Sequence, residues 1–458
     1  MIVPVTYEGK NVAVFGLART GITAVNALRA AGAKVFAWDD DSARCAEVGS
    51  VAHNLYALDF KVLDYLMLAP GVPLTHPKPH ALVEKAKRAG VPIMGDFDLF
   101  AAGQATLSAH KTVAITGTNG KSTTTALVTH MIREAGMPVA MGGNIGTGVL
   151  SLPALEKGGV YVLEMSSYQI DLTHHFKPDI AVLLNITPDH LDRHGDMSGY
   201  VLAKARLFEL LHSDGLAVMS LDDSYSQSLA VTVGDKDGRL KTITVEEKEM
   251  KDGIRILDEI LFEVKNNRPC VVGSVSKCQM LKGHHNWQNM ATAYAIGLEL
   301  GIRPEQILVS FRTFAGLSHR QEFVGKINGI SFINDSKATN LVSALKALES
   351  FKNIHWIAGG RTKDEELTLS SVPFSHLKAG YFIGEAASFF VGEFDDLFPV
   401  SNQESLDQAL RAAFEQADNG DVILLSPACS AFDQFKDFEE RGASFKSTFH
   451  ALKEEYAS

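Results

Sequence analysis

Short apolar runs that end in glycine or an acid, each followed by a stretch of helical spacing, set the texture of this chain. Asn11–Phe15 (NVAVF) is the first such run; it ends at Gly16, and apolar positions at helical spacing follow from about residue 20 to 31, where Gly32 stops them. Lys34–Trp38 (KVFAW) reads as the next strand, closed by Asp39 and Asp40. Strand, helix and strand at this distance predict a βαβ unit and a parallel sheet. Residues 66–68 lead into Pro70-Gly71-Val72-Pro73, a turn at the C-terminal end of a strand, and the small, polar stretch 103–111 places a boundary near residue 108.

A second unit opens with the strand 112–116 (TVAIT), followed by GTNGKSTTT and a helix to about residue 134. The runs 161–164 and 180–184 are further strands ending in polar residues. Between about 215 and 278 the pattern changes to short alternating runs (KTITV, IRIL, LFEV) separated by Gly, Asp and Asn, which predict antiparallel strands closing the domain. A helix is expected from about 287 to 300, capped by Gly301. The last 140 or so residues return to α/β texture: GISFIN, a helix over 340–350, HWIAGG, YFIG, a helix near 403–416, DVILLS and two helices to the end. Three α/β domains in series are expected, at 1–108, 109–316 and 317–458.

Composition narrows the class. Hydrophobic residues make up 46% of 458 and charged residues 21%, which is globular. Acidic residues outnumber basic ones 54 to 43, a formal net charge of −11, so binding of nucleic acid over a broad surface is not expected. Small anions can still be held where a cleft focuses positive potential. Four cysteines without paired spacing (Cys45, Cys270, Cys278, Cys429) exclude a disulfide scaffold and a zinc ribbon and fit a reducing compartment. No apolar run has the length of a membrane span, and MIVPVTYEGK lacks the layout of a signal peptide, so a cytoplasmic protein is expected.

The candidate chemistry lies at predicted strand ends. Gly117-Thr118-Asn119-Gly120-Lys121-Ser122-Thr123 joins a strand to a helix, as a phosphate-binding loop requires: glycines turn backbone N–H groups toward the ligand, Lys121 meets the terminal phosphates and the Ser122 hydroxyl suits magnesium. Only two residues separate its glycines, against four in the common motif. Gly16-Leu17-Ala18-Arg19-Thr20-Gly21, with Asp39 further on, is a weaker dinucleotide-type fingerprint that by itself chooses no ligand, since alanine in the middle position crowds a close pyrophosphate. Glu164 ends the strand YVLE, where a carboxylate either holds magnesium or is simply solvated. His190, in NITPDHLD, is a further candidate for a metal or a phosphate. Lys204 shares a helical face with Tyr200, Leu207, Phe208 and Leu211, and two readings stay open: a stem lying on apolar surface with its charge in water, or a desolvated amine of lowered pKa. In the third domain, Asn334-Asp335-Ser336-Lys337-Ala338-Thr339-Asn340 and Gly359-Gly360-Arg361-Thr362-Lys363 follow strands and suit an anionic substrate.

Together and in this order, GTNGKST, GGNIG (142–146), LEMSSYQ (163–169), NITPDHLDRH, GHHNWQN (283–289), GLSHR (316–320), NDSKATN and SPACSAFDQF (426–435) resemble the Mur ligase family of ATP-dependent amide-forming enzymes of bacterial cell-wall synthesis. NDSKATN and SPAC…DQFKDFEERG are most similar to the branch that joins D-glutamate to UDP-N-acetylmuramoyl-L-alanine. The resemblance implies a Rossmann-like N-terminal domain for the UDP-sugar substrate, a P-loop-type central ATP domain with an added antiparallel sheet, and a Rossmann-like C-terminal domain for the amino acid. It assigns Arg19, Thr20, Asp39 and Asp40 to the uracil end of the UDP substrate, and Gly71, Asn144, Ser166 and His190 to the remainder of that substrate. ATP would meet residues 117–123 with Asn289, Arg320 and Asp335. Two magnesium ions would be held, one by Ser122 and Glu164, the other by His190 and a carbamylated Lys204. Lys121, Glu164, His190 and Lys204 would carry catalysis, and Lys337, Thr339, Lys363, Phe432 and Phe438 would hold D-glutamate. Members of the family commonly carry Cys-Ala-Ser where this chain has Cys429-Ser430-Ala431, so no side-chain contact is expected from Ala431.

The implied partners are the three small-molecule substrates, without nucleic acid or membrane span, and the chain is expected to be a monomer. A folate polyglutamate ligase would share the central loop and the amide chemistry but not the UDP-type domain. Other members of the family would add different amino acids and lack NDSKATN, and a non-enzymatic nucleotide switch would need neither Lys204 nor the cationic loops of the third domain.

Overall fold

The computed structural model describes residues 1–234, 239–278, 280–281, 283–362 and 372–456. They form two compact units, Met1–Phe314 and Ala315–Ser458. Among the described residues no helix is long and apolar enough to cross a membrane.

The first unit carries two sheets. Strands β1 (Asn11–Phe15), β2 (Lys34–Trp38), β3 (Tyr65–Leu68) and β4 (Ile93–Met94) form a parallel sheet in the order β2-β1-β3-β4. The Val12, Ala13 and Val14 side chains are fully buried, and the following helix, Arg19–Ala30, is tied to the sheet by a close glycine contact. A Cβ on Gly21 would run into the carbonyl oxygen of Gly16, so helix and strand approach at a distance only glycine allows.

The second sheet has nine strands: β5 (His110–Thr116), β6 (Val139–Gly143), β7 (Gly159–Glu164), β8 (Ile180–Leu183), β9 (Leu216–Ser220), β10 (Arg239–Thr244), β11 (Gly253–Leu257), β12 (Ile260–Lys265) and β13 (Arg268–Ser274). Their order is β13-β12-β11-β10-β9-β8-β5-β7-β6. The antiparallel strands expected here are present as β11–β13, and they continue the parallel sheet. β9, β10 and β11 pair in parallel, a direction that alternation of apolar and polar residues does not encode. The two sheets of this unit share buried side chains, with Phe97, Phe100, Tyr161 and Phe176 in edge and tilted ring contacts. The Asp98 carboxylate adds a polar tie, accepting the His174 and His175 amides at 2.8 and 2.7 Å.

In the second unit, β14 (Glu322–Ile327), β15 (Ile330–Asn334), β16 (Ile354–Gly359), β17 (Leu377–Ile383), β18 (Val400–Asn402) and β19 (Val422–Leu425) are ordered β14-β15-β19-β16-β17-β18. Only β14, in a hairpin with β15, is antiparallel. The chain ends in one helix, Phe438–Glu455, in place of the two expected. Residues 426–437 stay irregular: Ala428 takes a left-handed φ of 58°, and Asp437 caps the helix by accepting the Glu440 amide.

Candidate functional site

β5 delivers the chain to the glycine loop, and the helix Lys121–Glu134 leaves it. Gly120, at φ 83°, is the residue before the helix, and a Cβ there would press on the Asn289 side chain. Asn289 is buried and accepts the Thr124 hydroxyl at 3.0 Å, so this predicted nucleotide residue braces the loop from behind. The front of the loop is tied to the end of β8: the Thr118 amide donates to the Asn185 carbonyl at 2.9 Å, and the Asn119 amide to the Asn185 side chain at 2.8 Å. The half-buried Lys121 donates to the Gly117 and Thr118 carbonyls at 2.9 and 2.8 Å.

Lys204, on the helix Met197–Glu209, reaches the same loop. Its Nζ is 2.9 Å from the Gly117 carbonyl oxygen and 4.6 Å from the centre of the Tyr200 ring, and the residue is 1% exposed. Burial and then the Lys121 charge push its pKa well below the ordinary lysine range. Of the two readings the sequence left open, the desolvated amine is the one found.

Glu164 is 2% exposed at the end of β7. Its Oε1 accepts the Asn144 side chain at 2.8 Å, whereas Oε2 is buried with no protein donor. An orphaned buried carboxylate oxygen is costly unless something else satisfies it, and a hard cation does so. Among the described residues no three His, Cys, Asp or Glu side chains cluster as a metal cage. Such a donor set fits magnesium, which is bound by one or two protein groups together with substrate phosphates and water. Ser122 is buried in the first turn of the helix that follows the loop. His190 takes a left-handed φ of 54° as the residue before the short helix Leu191–His194; its ring is exposed, 5.0 Å from the Tyr168 ring.

The N-terminal fingerprint opens onto a cavity of about 510 Å³. Arg19, Thr20, Asp39, Asp40, Gly71 and Asn144, six of the eight residues expected at the UDP substrate, line it. Of the other two, Ser166 caps the helix Ser167–Asp171 and donates to Gln169, which is itself in the lining, while His190 is not among the lining residues. Asp39 is buried and accepts from the Leu17 amide at 2.6 Å, the Asp41 amide at 2.9 Å and Arg44 at 3.4 Å. Burial acts to raise its pKa, but these donors outweigh it and hold the carboxyl below the usual range.

In the second unit, Asp335 follows β15 and is buried against the Ser426 hydroxyl (2.9 Å) and the Gln321 amide (3.1 Å). Burial raises it to about 7 despite those donors and the nearby Arg320 charge. Lys337 lies 5.3 Å from the Phe438 ring centre, which brings two of the expected D-glutamate residues together. Thr339 is half-buried in the same loop and Phe432 is 63% exposed; Lys363 lies outside the described residues. The hydroxyl beside Ala431, that of Ser430, is turned inward and donates to the Arg361 carbonyl at 2.8 Å.

Sequence reasoning missed several members of these sites. Arg44, His80 and Gln169 line the N-terminal cavity. Arg441 is fully buried and ties Ser336, Gly359 and Cys429 together through their backbone or side-chain oxygens. Burial lowers its pKa to about 10. His194, between Ser167 at 2.9 Å and Asp171 at 3.5 Å, is lowered to about 4, first by burial and then by the Lys204 charge. Gln169 was within reach, since it closes the LEMSSYQ motif. Arg193, in NITPDHLDRH, and Arg441, in DQFKDFEERG, also lie in such motifs, but they bind mainly backbone carbonyls of Gly71, Val72, Gly359, Ser336 and Cys429, partners that no sequence pattern marks.

The chain is similar to known proteins over nearly its whole length. The family pattern described as Mur ligase middle domain matches residues 115–297, and that described as Mur ligase, glutamate ligase domain, matches residues 319–429. A UDP-N-acetylmuramoylalanine--D-glutamate ligase of Caulobacter sp. (strain K31) is 44% identical over 457 residues, covering 97% of each chain. Two solved structures share the fold. UDP-N-acetylmuramate-alanine ligase MurC from Thermotoga maritima has a TM-score of 0.55 at 16% identity and covers 97% of this chain and 100% of its own. The MurF ligase from Thermotoga maritima in complex with ADP has a TM-score of 0.52 at 14% identity, covering 88% and 98%.

Proposed function

The chain belongs to the Mur ligase family, and from that premise we propose that it is an ATP-dependent ligase joining D-glutamate to UDP-N-acetylmuramoyl-L-alanine, in the making of a peptidoglycan precursor. The observation that carries this reading is the 44% identity, end to end, with a ligase of that name. The converging lysines and the buried Glu164 support it from the side of the chemistry.

The reaction has an energetic obstacle, since a free carboxylate is a poor acyl donor. Transfer of the γ-phosphoryl group forms an O–P bond at the L-alanine carboxylate and breaks the bond between the β- and γ-phosphates, releasing ADP. The amine of D-glutamate then attacks the acyl carbon, loses a proton, and phosphate leaves with the C–O electron pair. Residues 117–123 hold the ATP phosphates in this reading, Lys121 neutralises charge on the transferring group, and Asn289, Arg320 and Asp335 serve the nucleotide. Lys337, Thr339, Lys363, Phe432 and Phe438 orient D-glutamate, and the residues around the 510 Å³ cavity hold the UDP sugar.

Ser122 and Glu164 would hold one magnesium ion, and His190 with Lys204 a second. Bound magnesium supplies positive charge that offsets the charge building on the phosphoryl oxygens. Lys204 fits that role as a carbamate: the lone pair of its neutral amine forms an N–C bond to carbon dioxide, a proton leaves to water, and a carboxylate-like donor results. The lowered pKa supports this, because only the unprotonated amine reacts. Residues 1–108, 109–316 and 317–458 serve as UDP-substrate, ATP and amino-acid domains, in a monomer working in the cytoplasm.

Phosphate release in the presence of ATP, magnesium and UDP-N-acetylmuramoyl-L-alanine, with the amino acid varied, tests the assignment. D-glutamate is expected to stimulate release; stimulation by another amino acid and not by D-glutamate overturns it.

A further inference from the structure

Arg193 sits in the short helix Leu191–His194, three residues after His190. It donates to three consecutive backbone carbonyls of the turn after β3: Nη1 to Gly71 at 2.9 Å, Nη2 to Val72 at 3.1 Å and to Pro70 at 3.4 Å. Its other face lies 4.5 Å from the centre of the Tyr168 ring. The planar fork of arginine suits such a cluster of acceptors, and the ring contact fixes the plane.

We propose that Arg193 is a positioning residue for the UDP-sugar substrate: it sets the shape of the Pro70–Val72 turn and thereby aims the Gly71 amide into the 510 Å³ cavity. Gly71 and Val72 both line that cavity. In a trans peptide the carbonyl and the next N–H point in opposite directions, so drawing the Pro70 carbonyl to Arg193 turns the Gly71 N–H away from it. That N–H is in an exposed residue and has no protein acceptor among the described residues, whereas the next one, of Val72, is spent on the Ala69 carbonyl at 3.0 Å. One oriented donor is thus left over at the cavity wall, suited to an oxygen of an anionic or sugar ligand. Without the cation, three carbonyls that now face one charge would have no common partner, and the turn would keep only its Val72-to-Ala69 hydrogen bond, which does not by itself fix the orientation of the Pro70–Gly71 peptide. Proline on both sides of Gly71-Val72 limits the alternatives but does not choose among them, because proline fixes φ and leaves ψ free.

The inference rests on the substrate reading given above, and the experiment separates the two. Arg193→Ala and Arg193→Lys are compared with the wild-type enzyme in steady-state kinetics and in direct calorimetric titration with UDP-N-acetylmuramoyl-L-alanine. For Arg193→Ala, KM and Kd for the UDP substrate are expected to rise about tenfold, as loss of one charge-assisted interaction implies, with KM for ATP within about twofold of wild type. Arg193→Lys should fall between, since it keeps the charge but loses the fork. Unchanged UDP-substrate constants in Arg193→Ala, or equal rises for both substrates, overturn the proposal. If Arg193→Ala does not fold, Arg193→Lys decides by the same split between the two KM values. A wild-type enzyme that fails to bind UDP-N-acetylmuramoyl-L-alanine overturns the substrate reading itself.

Discussion

Lys121 and Lys204 bring their amine nitrogens to the same oxygen, the carbonyl of Gly117, each at 2.9 Å. Burial of Lys204, and then the Lys121 charge beside it, lower its amine below the ordinary lysine range, so it gives up its proton more readily than a solvated lysine. Replacing Lys204 by Ala is therefore expected to lower kcat at least about a hundredfold, the scale on which a preorganised charge or ligand is lost. Added short-chain carboxylic acids should restore part of the rate. Full activity of Lys204→Ala without such acids would remove the carbamate from the mechanism. Depleting carbon dioxide from the wild-type enzyme should lower its rate in the same assay.

Glu164 makes the opposite kind of prediction, in which activity and stability part company. Its Oε2 is buried without a donor. Glu164→Gln keeps the size of the side chain while removing a buried charge, so the thermal midpoint should be equal to or above that of wild type in the absence of magnesium. The magnesium concentration giving half-maximal rate should rise, and kcat should fall about a hundredfold or more. Differential scanning fluorimetry with and without magnesium, beside a magnesium titration of the rate, checks both halves. A variant that melts lower and needs no more magnesium would make Glu164 a structural acid.

Asp335 gives the second unit a pH dependence of its own. Its carboxyl is raised from the ordinary 3.8 to about 7, chiefly by burial. Between those values the folded state keeps a proton that the unfolded state has lost. The stability this contributes is fully present below about 4 and is lost as pH rises through about 7. Asp335→Asn, which cannot titrate, should flatten that decline. Melting temperatures at pH 5 and pH 8 measure it: the wild type should lose more between the two than the variant does.

The contact between Gly21 and Gly16 is a test of the fold rather than of the chemistry. A methyl group at Gly21 meets the Gly16 carbonyl, which belongs to the turn that shapes the N-terminal cavity. Gly21→Ala is expected to cost more than about 2 kcal/mol, the range of overpacked core positions. The urea midpoint should drop accordingly. An unchanged midpoint would mean that the helix can move away from the strand at little cost.

What was legible in the sequence was the backbone logic. Short apolar runs closed by polar residues marked strand ends, and they placed Lys121, Glu164, Asp335 and the Gly16 turn at the edges where ligands collect. Periodicity put Lys204 and Tyr200 on one face of a helix, but it could not tell that the face packs on the glycine loop, because that contact spans 87 residues. Strand direction beyond residue 239 was equally hidden: alternation reports which side is buried and leaves direction to the connections. Arg193 lies inside NITPDHLDRH, but nothing in that motif marks its role. Its partners are carbonyls, which every residue carries, and only the fold brings them within reach.

Asp39 has a consequence for the donors the N-terminal cavity can still receive. A carboxylate offers about four lone-pair directions, and three of these are taken: the Asp41 amide on Oδ1, and the Leu17 amide and Arg44 on Oδ2. An acid at this point of a dinucleotide fold normally accepts from the ribose of NAD. Here it spends its capacity on its own loop, and a ribose diol asking for both oxygens meets a single open direction. A diol in this place would have to displace Arg44, whose 3.4 Å bond is the longest of the three and whose side chain is half exposed.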